Sequence, residues 1–186
     1  MDETCKQLIG DVREPIVCAP GRPTRIDHEY FRNGVAEIFL ELEPLSGKRH
    51  IAVAEHRTKK DWAWWIKGMI DERYPNAVRV RLIMDNLNTH GLASLYEAFP
   101  PREARRLAEH IDIHYTPKYG SWLNMAEIEL SALNSQCLDR RIPDLITMRS
   151  CIAAWENDRN NRHSRINWHF STIDARIKLK HLYPKL

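Results

Sequence analysis

Short segments of alternating or clustered apolar residues predict β-strands at residues 35–42, 50–55, 78–84 and 111–115. The first two flank a Pro-Leu-Ser-Gly turn at 44–47, which is typical of an antiparallel hairpin. The segment 78–84 becomes continuously apolar before Asp85, as a buried parallel strand does. Between these elements, three prolines and a glycine at 13–25 predict a loop.

Apolar residues at helical spacing predict helices near residues 58–73, 92–99, 102–110, 122–138, 147–160 and 172–182. Trp62 and Trp65 of the first helix are interpreted as core anchors rather than as stacking platforms for bases. A Ser171-x-x-Asp174 capping box opens the last helix. Strands come first, then strands alternate with helices, and helices end the chain. This order predicts an α/β architecture, a mixed five-stranded sheet covered by helices.

The length of 186 residues fits one domain, residues 1–186. Lys and Arg number 28 against 25 Asp and Glu, a balance that permits nucleic-acid binding without requiring it. Residues 159–186 hold seven basic residues and a single acid, Asp174. This basic tail, 159–186, could bind phosphate. The alternative is a solvated helix face.

Cysteine and hydropathy patterns exclude several classes of protein. The four cysteines show no C-x-x-C pair and no histidine at finger spacing, so neither a zinc finger nor a disulfide framework is indicated. No apolar run approaches the roughly 18 residues of a membrane helix, and the N-terminus does not resemble a signal peptide. We therefore predict a cytoplasmic protein with reduced thiols and no membrane partner.

Three carboxylates stand in settings that suit a divalent-metal site: Asp2 and Asp85, each expected to end an apolar strand, and Glu127 on a helix. Two hard divalent cations about 3.5 to 4 Å apart need carboxylate oxygens on rigid elements, and such a pair acts on phosphodiesters. Asp85 should lie at the C-terminal edge of the sheet, where open α/β folds bind ligands. Its alternative role is to cap the next helix or to form an Asx turn with Asn86.

Helix geometry separates the two glutamates of the 122–138 helix. An apolar stripe faces the core, formed by Leu123, Ala126, Leu130, Leu133 and Cys137. Glu127 lies on a polar flank of that stripe, whereas Glu129 lies about 160° round the helix from it. The pattern predicts Glu127 as the metal ligand and Glu129 as a surface residue. Local evidence for Asp2 is weak, because an N-terminal Asp-Glu pair is usually frayed surface.

Three ordered motifs resemble the catalytic domain of DDE transposases of the mariner-like superfamily, specifically the bacterial insertion-sequence-630 family. They are Met-Asp-Glu-Thr at 1–4, Met-Asp-Asn-Leu-Asn-Thr-His at 84–90 and Ser-Trp-Leu-Asn-Met-Ala-Glu at 121–127. The resemblance continues through 137–143 and 174–180, and so covers nearly the whole chain. It is the main argument for Asp2.

The resemblance implies a ribonuclease-H-like fold in which the first and fourth strands lie side by side and present Asp2 and Asp85, with Glu127 delivered by a later helix. It implies two Mg²⁺ ions, for which Mn²⁺ can substitute, and DNA transposition by phosphodiester hydrolysis and strand transfer. The DNA partners would be transposon ends and target, at the bacterial nucleoid. His90, Lys118 and Arg162 are candidate phosphate contacts, or ordinary polar residues.

Two departures from the family shape the expectations. Such transposases carry an N-terminal helix-turn-helix region, and nothing precedes Met1 in this sequence. We therefore expect that region to be absent and the first strand to be truncated to a stub, completed by a homodimer partner or a complementing transposase chain. The alternatives are a catalytically inactive remnant that only binds DNA or dimerises, and a cellular nuclease without strand transfer.

Overall fold

The computed structural model describes residues 1–85, 90–118 and 120–182, which contain five β-strands and six α-helices. The strands are β1 Asp2–Asp11, β2 Tyr30–Leu42, β3 Arg49–Ala54, β4 Val80–Met84 and β5 Ile111–Tyr115. The helices are α1 Lys59–Gly68, α2 Leu92–Ala98, α3 Pro101–His110, α4 Met125–Leu133, α5 Leu145–Asn161 and α6 Thr172–Lys178. One π-helical turn, Met69–Arg73, extends α1, and another, Asn134–Leu138, extends α4. Short 3₁₀ turns, Ser121–Leu123 and Lys180–Leu182, precede α4 and follow α6.

The strands form two hydrogen-bonded sheets within the described residues. Strands β1, β2 and β3 pair antiparallel in that order, and β4 pairs parallel with β5. The predicted α/β class, the β2–β3 hairpin and the parallel strand before Asp85 are confirmed. The single five-stranded sheet is not confirmed. The two sheets approach each other at the start of β1, where the backbone nitrogen of Met1 donates to the carbonyl oxygen of Ile83 in β4, 2.6 Å away. The arrangement is consistent with a ribonuclease-H-like fold.

The prediction of a truncated first strand is wrong. Asp2 begins β1 rather than ending a strand, and β1 runs for ten residues. Nine of them pair with β2, from Asp2 opposite Leu40 to Asp11 opposite Tyr30. The sequence pattern does not predict this strand, because polar residues such as Lys6 and Gln7 interrupt its apolar positions.

Strand β2 lies at the centre of the molecule and is buried on both faces at its C-terminal end. Phe39 belongs to one apolar core with Trp62 and residues of β4 and α3. Ile38 and Leu40 point to the opposite face, as alternate strand residues must, and join a second core with α4 and α5. Sequence periodicity had placed the tryptophans correctly, since Trp62 and Trp65 are both buried.

Capping residues begin several of the helices. Thr58 and Asp61 form a capping box at α1, and the predicted box of Ser171 and Asp174 opens α6. Among the helices in the described part of the chain, none has both the length and the apolar character needed to cross a membrane.

Candidate functional site

Asp2, Asp85 and Glu127 come from three different elements: the start of β1, the residue after β4 and the first turn of α4. Asp2 is only 9% exposed, and the other two are partly buried. Burial raises the pKa of Asp2 to about 6, against a hydrogen bond that its carboxylate accepts from the Glu3 backbone N–H. The negative charges of Asp85 and Glu127 raise this pKa further. The structure therefore brings both Asp85 and Glu127 within electrostatic range of Asp2.

A buried amide links the elements that carry Asp2 and Glu127. Asn124 is the N-cap of α4, and its side-chain oxygen accepts from the backbone N–H of Ala126 at 3.2 Å. Its side-chain nitrogen donates to the carbonyl oxygen of Met1 at 2.8 Å. An asparagine at the start of a helix is a capping signal, so the cap, though not the bond to Met1, can be predicted from the sequence. Asn124 thus fixes the first turn of α4, which contains Glu127, against the backbone next to Asp2.

Glu3 and His90 form a second buried group beside Asp85, which sequence reasoning missed. The side chains of Glu3 and His90 are 4% and 0% exposed, with His90 Nε2 3.2 Å from Glu3 Oε1. One potential ligand atom each from Glu3, Asp85 and His90 lies within 4.8 Å of the other two. The imidazole of His90 also stacks on Trp62, with ring centroids 5.7 Å apart. His90 is therefore enclosed and is not available as a phosphate contact in this conformation.

Burial is the largest cause of the pKa shifts of both Glu3 and His90. Burial raises the pKa of Glu3 to about 7, with the charges of Asp2 and Asp85 adding and that of Arg57 opposing. Burial lowers the pKa of His90 to about 4, and Arg57 acts in the same direction. At neutral pH the imidazole is consequently uncharged, with a lone pair on one ring nitrogen.

The prediction that Glu129 is a surface residue is wrong. Glu129 is 1% exposed and lies between two arginines. Its Oε1 is 2.8 Å from Arg49 Nε, and Arg159 donates to both carboxylate oxygens at 2.6 and 3.1 Å. Strand β3 supplies Arg49 and helix α5 supplies Arg159, so this flank of α4 is covered by protein rather than by water.

The basic tail is not a uniform positive patch. Arg159 forms an ion pair with Glu129. The Nζ atom of Lys178 lies over the ring of Trp122, 4.7 Å from the ring centroid. Arg162 is exposed and pairs with Asp158 at 2.8 Å. Lys118 is also exposed. Lys185 lies outside the described residues, as do positions 86–89 of the second motif.

A cavity of about 500 Å³ lies on the other side of Met1, between the end of β2, strand β4 and the start of α4. Its described walls are mainly apolar and include Leu42, Leu82 and Leu123, but not the carboxylates of the candidate site. Because those carboxylates do not line this cavity, the cavity is not part of the candidate site.

Residues 1–149 match a protein-family model described as DDE superfamily endonuclease. The matched range contains Asp2, Asp85 and Glu127 and covers well over half of the 186 residues. Comparison with curated proteins and with solved structures gave no match.

Proposed function

The chain belongs to the DDE superfamily of endonucleases, and on that premise we propose that it cleaves phosphodiester bonds in DNA using Mg²⁺ held by Asp2, Asp85 and Glu127. The observation that supports this most directly is the convergence of these carboxylates from β1, β4 and α4. Burial raises the pKa of Asp2, and the negative charges of Asp85 and Glu127 raise it further. Carboxylates gathered in this way repel one another, and a divalent cation removes that repulsion.

The donor set fits the proposed metal. Asp2, Asp85 and Glu127 offer only carboxylate oxygens, which are the ligands that Mg²⁺ and Mn²⁺ prefer. Bound ions of this kind activate a water for in-line attack and stabilise the leaving oxygen. The chain itself contributes rigidity: β1 is paired along its length with β2, and Asn124 fixes the helix turn that contains Glu127.

The finer proposal is that the protein is a transposase of the insertion-sequence-630 family. Its 3′-hydroxyl product would then attack target DNA, which needs the same in-line geometry and no covalent protein intermediate. The three ordered motifs support this assignment. Transposon ends and target DNA would be the partners, and a homodimer or a complementing chain would assemble on them.

Cleavage of an end-labelled duplex in Mg²⁺, in Mn²⁺ and in EDTA tests the proposal. We expect cleavage with either metal ion and none in EDTA. Asp85→Asn should abolish cleavage, whereas Asp139→Asn, at an exposed position, should leave it intact. Equal metal-dependent cleavage by Asp85→Asn and the parent chain would refute the assignment.

Duplexes that carry inverted-repeat ends separate the finer alternatives. Joined products would support strand transfer, whereas hydrolysis alone would indicate a nuclease. DNA binding without any cleavage would indicate an inactive remnant. The main structural reason to expect inactivity, a stub in place of the first strand, is not found in this structure.

A further inference from the structure

Glu3, Asp85 and His90 form a group of metal-ligating atoms that the three-carboxylate site does not explain. Asp85 is shared with that site, but Glu3 and His90 are not part of it. The three ligand atoms lie within 4.8 Å of one another. Tetrahedral zinc with ligand distances near 2.0 to 2.1 Å separates its ligands by about 3.3 Å, so small side-chain rotations would close the group around an ion.

His90 supplies an independent indication that a ligand belongs here. Its side chain is 0% exposed, and among the described residues neither ring nitrogen makes a hydrogen bond. Glu3 Oε1 is likewise buried and without a hydrogen-bond partner in the described chain, although it lies 3.2 Å from His90 Nε2. Buried polar atoms are nearly always satisfied, because an unsatisfied one loses its hydration without gaining a hydrogen bond. A metal ion at this point would satisfy both side chains.

The chemistry of the donors selects the kind of metal. The imidazole nitrogen distinguishes this set from an all-carboxylate site, because imidazole suits zinc and its first-row neighbours, and zinc also accepts carboxylate oxygens and a water. Mg²⁺ prefers an all-oxygen octahedron and keeps most of its waters. Stacking on Trp62 orients the imidazole, much as an outer contact orients a ligating histidine.

We propose that Glu3, Asp85 and His90 form a transition-metal site, represented by Zn²⁺, which is distinct from the Mg²⁺ site and competes with it for Asp85. The positive charge of Arg57 acts on His90, but its guanidinium faces Glu37, with Arg57 Nε 3.7 Å from Glu37 Oε2. Zinc bound in this way withdraws Asp85 from Asp2 and Glu127. That regulatory consequence, inhibition of Mg²⁺-supported cleavage by Zn²⁺, rests on the proposed function, whereas the zinc site itself does not.

Calorimetric titration of the 186-residue chain with Zn²⁺ and separately with Mg²⁺ tests the site, with Co²⁺ absorption as a spectroscopic probe. We expect His90→Gln and Glu3→Gln each to weaken Zn²⁺ binding at least tenfold while leaving Mg²⁺ binding in place. Asp2→Asn should do the reverse. His114→Gln is the matched control, because that imidazole also lies beside a carboxylate, Asp112, but is exposed.

The outcomes are separable. Zn²⁺ affinity unchanged in both His90→Gln and Glu3→Gln, or lost only in Asp2→Asn, overturns the inference. Thiolate charge-transfer bands of bound Co²⁺ would place the ion on cysteine and also overturn it. Failure of Mg²⁺ binding with Zn²⁺ binding still dependent on His90 would refute the proposed function alone. Circular dichroism of each variant confirms that it is folded, and Glu3→Gln repeats the test without altering the Trp62 stack.

Discussion

Two glutamates on one helix, two residues apart, experience opposite environments. Glu129 is fully buried and held by Arg49 and Arg159, whose positive charges compensate it. Glu127 is partly buried, and its charge adds to the repulsion that raises the pKa of Asp2. The difference indicates which carboxylate stabilises the fold and which is available for a metal ion. A compensated buried carboxylate is structural, whereas a buried carboxylate whose pKa is raised by burial and by neighbouring carboxylates, as that of Asp2 is, is typical of a functional site.

The largest expected effect is on stability, from Glu129→Gln. Removing this charge leaves Arg49, whose side chain is 0% exposed, without its counter-ion, and breaking a buried pair typically costs about 3–5 kcal/mol. Urea unfolding would measure it. Glu109→Gln breaks an exposed pair with Arg105, which water already screens, and should have a much smaller effect on stability. Similar losses in the two variants would contradict a structural role for Glu129.

The second effect is on activity, from Glu127→Gln. We expect cleavage to fall by about 10²–10³-fold, as when one preorganised electrostatic group is removed, with the free energy of unfolding nearly unchanged. Glu72→Gln, at an exposed position, is the control. Single-turnover rates would measure the change. If Glu127→Gln instead unfolded the chain and spared activity, the roles assigned to the two glutamates would be reversed.

A smaller effect, on both properties, should follow Asn124→Ala. The variant removes the N-cap of α4 and the hydrogen bond to the Met1 carbonyl, a loss of about 2 kcal/mol in unfolding free energy. Cleavage should also fall, because the turn with Glu127 loses its link to β1. Asp144→Ala removes the cap of α5 and should lower stability without lowering activity in the folded protein. Equal effects on activity would argue against a positioning role for Asn124.

The last effect is confined to the metal-free protein and to one range of pH. Between about pH 4 and 6 folded Asp2 keeps a proton that the unfolded chain releases, because its pKa is about 6 rather than 3.8. Stability from this group therefore increases as pH falls through 6. Asp2→Asn should remove that increase, which is about 2–3 kcal/mol for a pKa raised from 3.8 to about 6, and should be the more stable chain at pH 8 in EDTA.

Melting temperatures of the parent and Asp2→Asn across pH 4–8 would measure the difference. Taking the difference cancels the groups that Asp2 does not influence, such as His90. Glu3 adds to the difference with the same sign, because the charge of Asp2 contributes to its raised pKa. The contribution of His90 to the stability of the fold decreases as pH falls below 6.5. The unfolded chain then gains a proton that folded His90, with a pKa of about 4, does not yet bind. Parallel plots of melting temperature against pH for the two chains would mean that the surroundings do not raise the pKa of Asp2.

Sequence periodicity predicted the elements whose burial follows a regular pattern. Strands β2 to β5 and the helices were placed within a few residues, because apolar spacing reports which face is buried. Strand β1 was missed because its burial depends on β2 and α4 rather than on its own alternation. Its pairing partner begins at Tyr30, far along the chain.

The candidate site could be predicted from the sequence only in part, because it too depends on contacts between distant segments. The motifs pointed to Asp2, Asp85 and Glu127, whose roles as ligands stay a prediction. The environment of Glu129 depends on arginines 80 residues earlier and 30 residues later in the sequence, which helix geometry alone does not reveal. The approach of His90 to Glu3 is likewise a tertiary contact. Such contacts join distant segments, so no local pattern reports them.

Calorimetric titration of the metal-free 186-residue chain with Mg²⁺, beside Asp2→Asn, Asp85→Asn and Glu127→Gln, tests the central claim most directly. The account predicts binding in the parent that each of the three substitutions weakens at least tenfold, while Asp139→Asn binds like the parent. Absence of Mg²⁺ binding in the folded parent, or binding that none of the three substitutions changes, would contradict it.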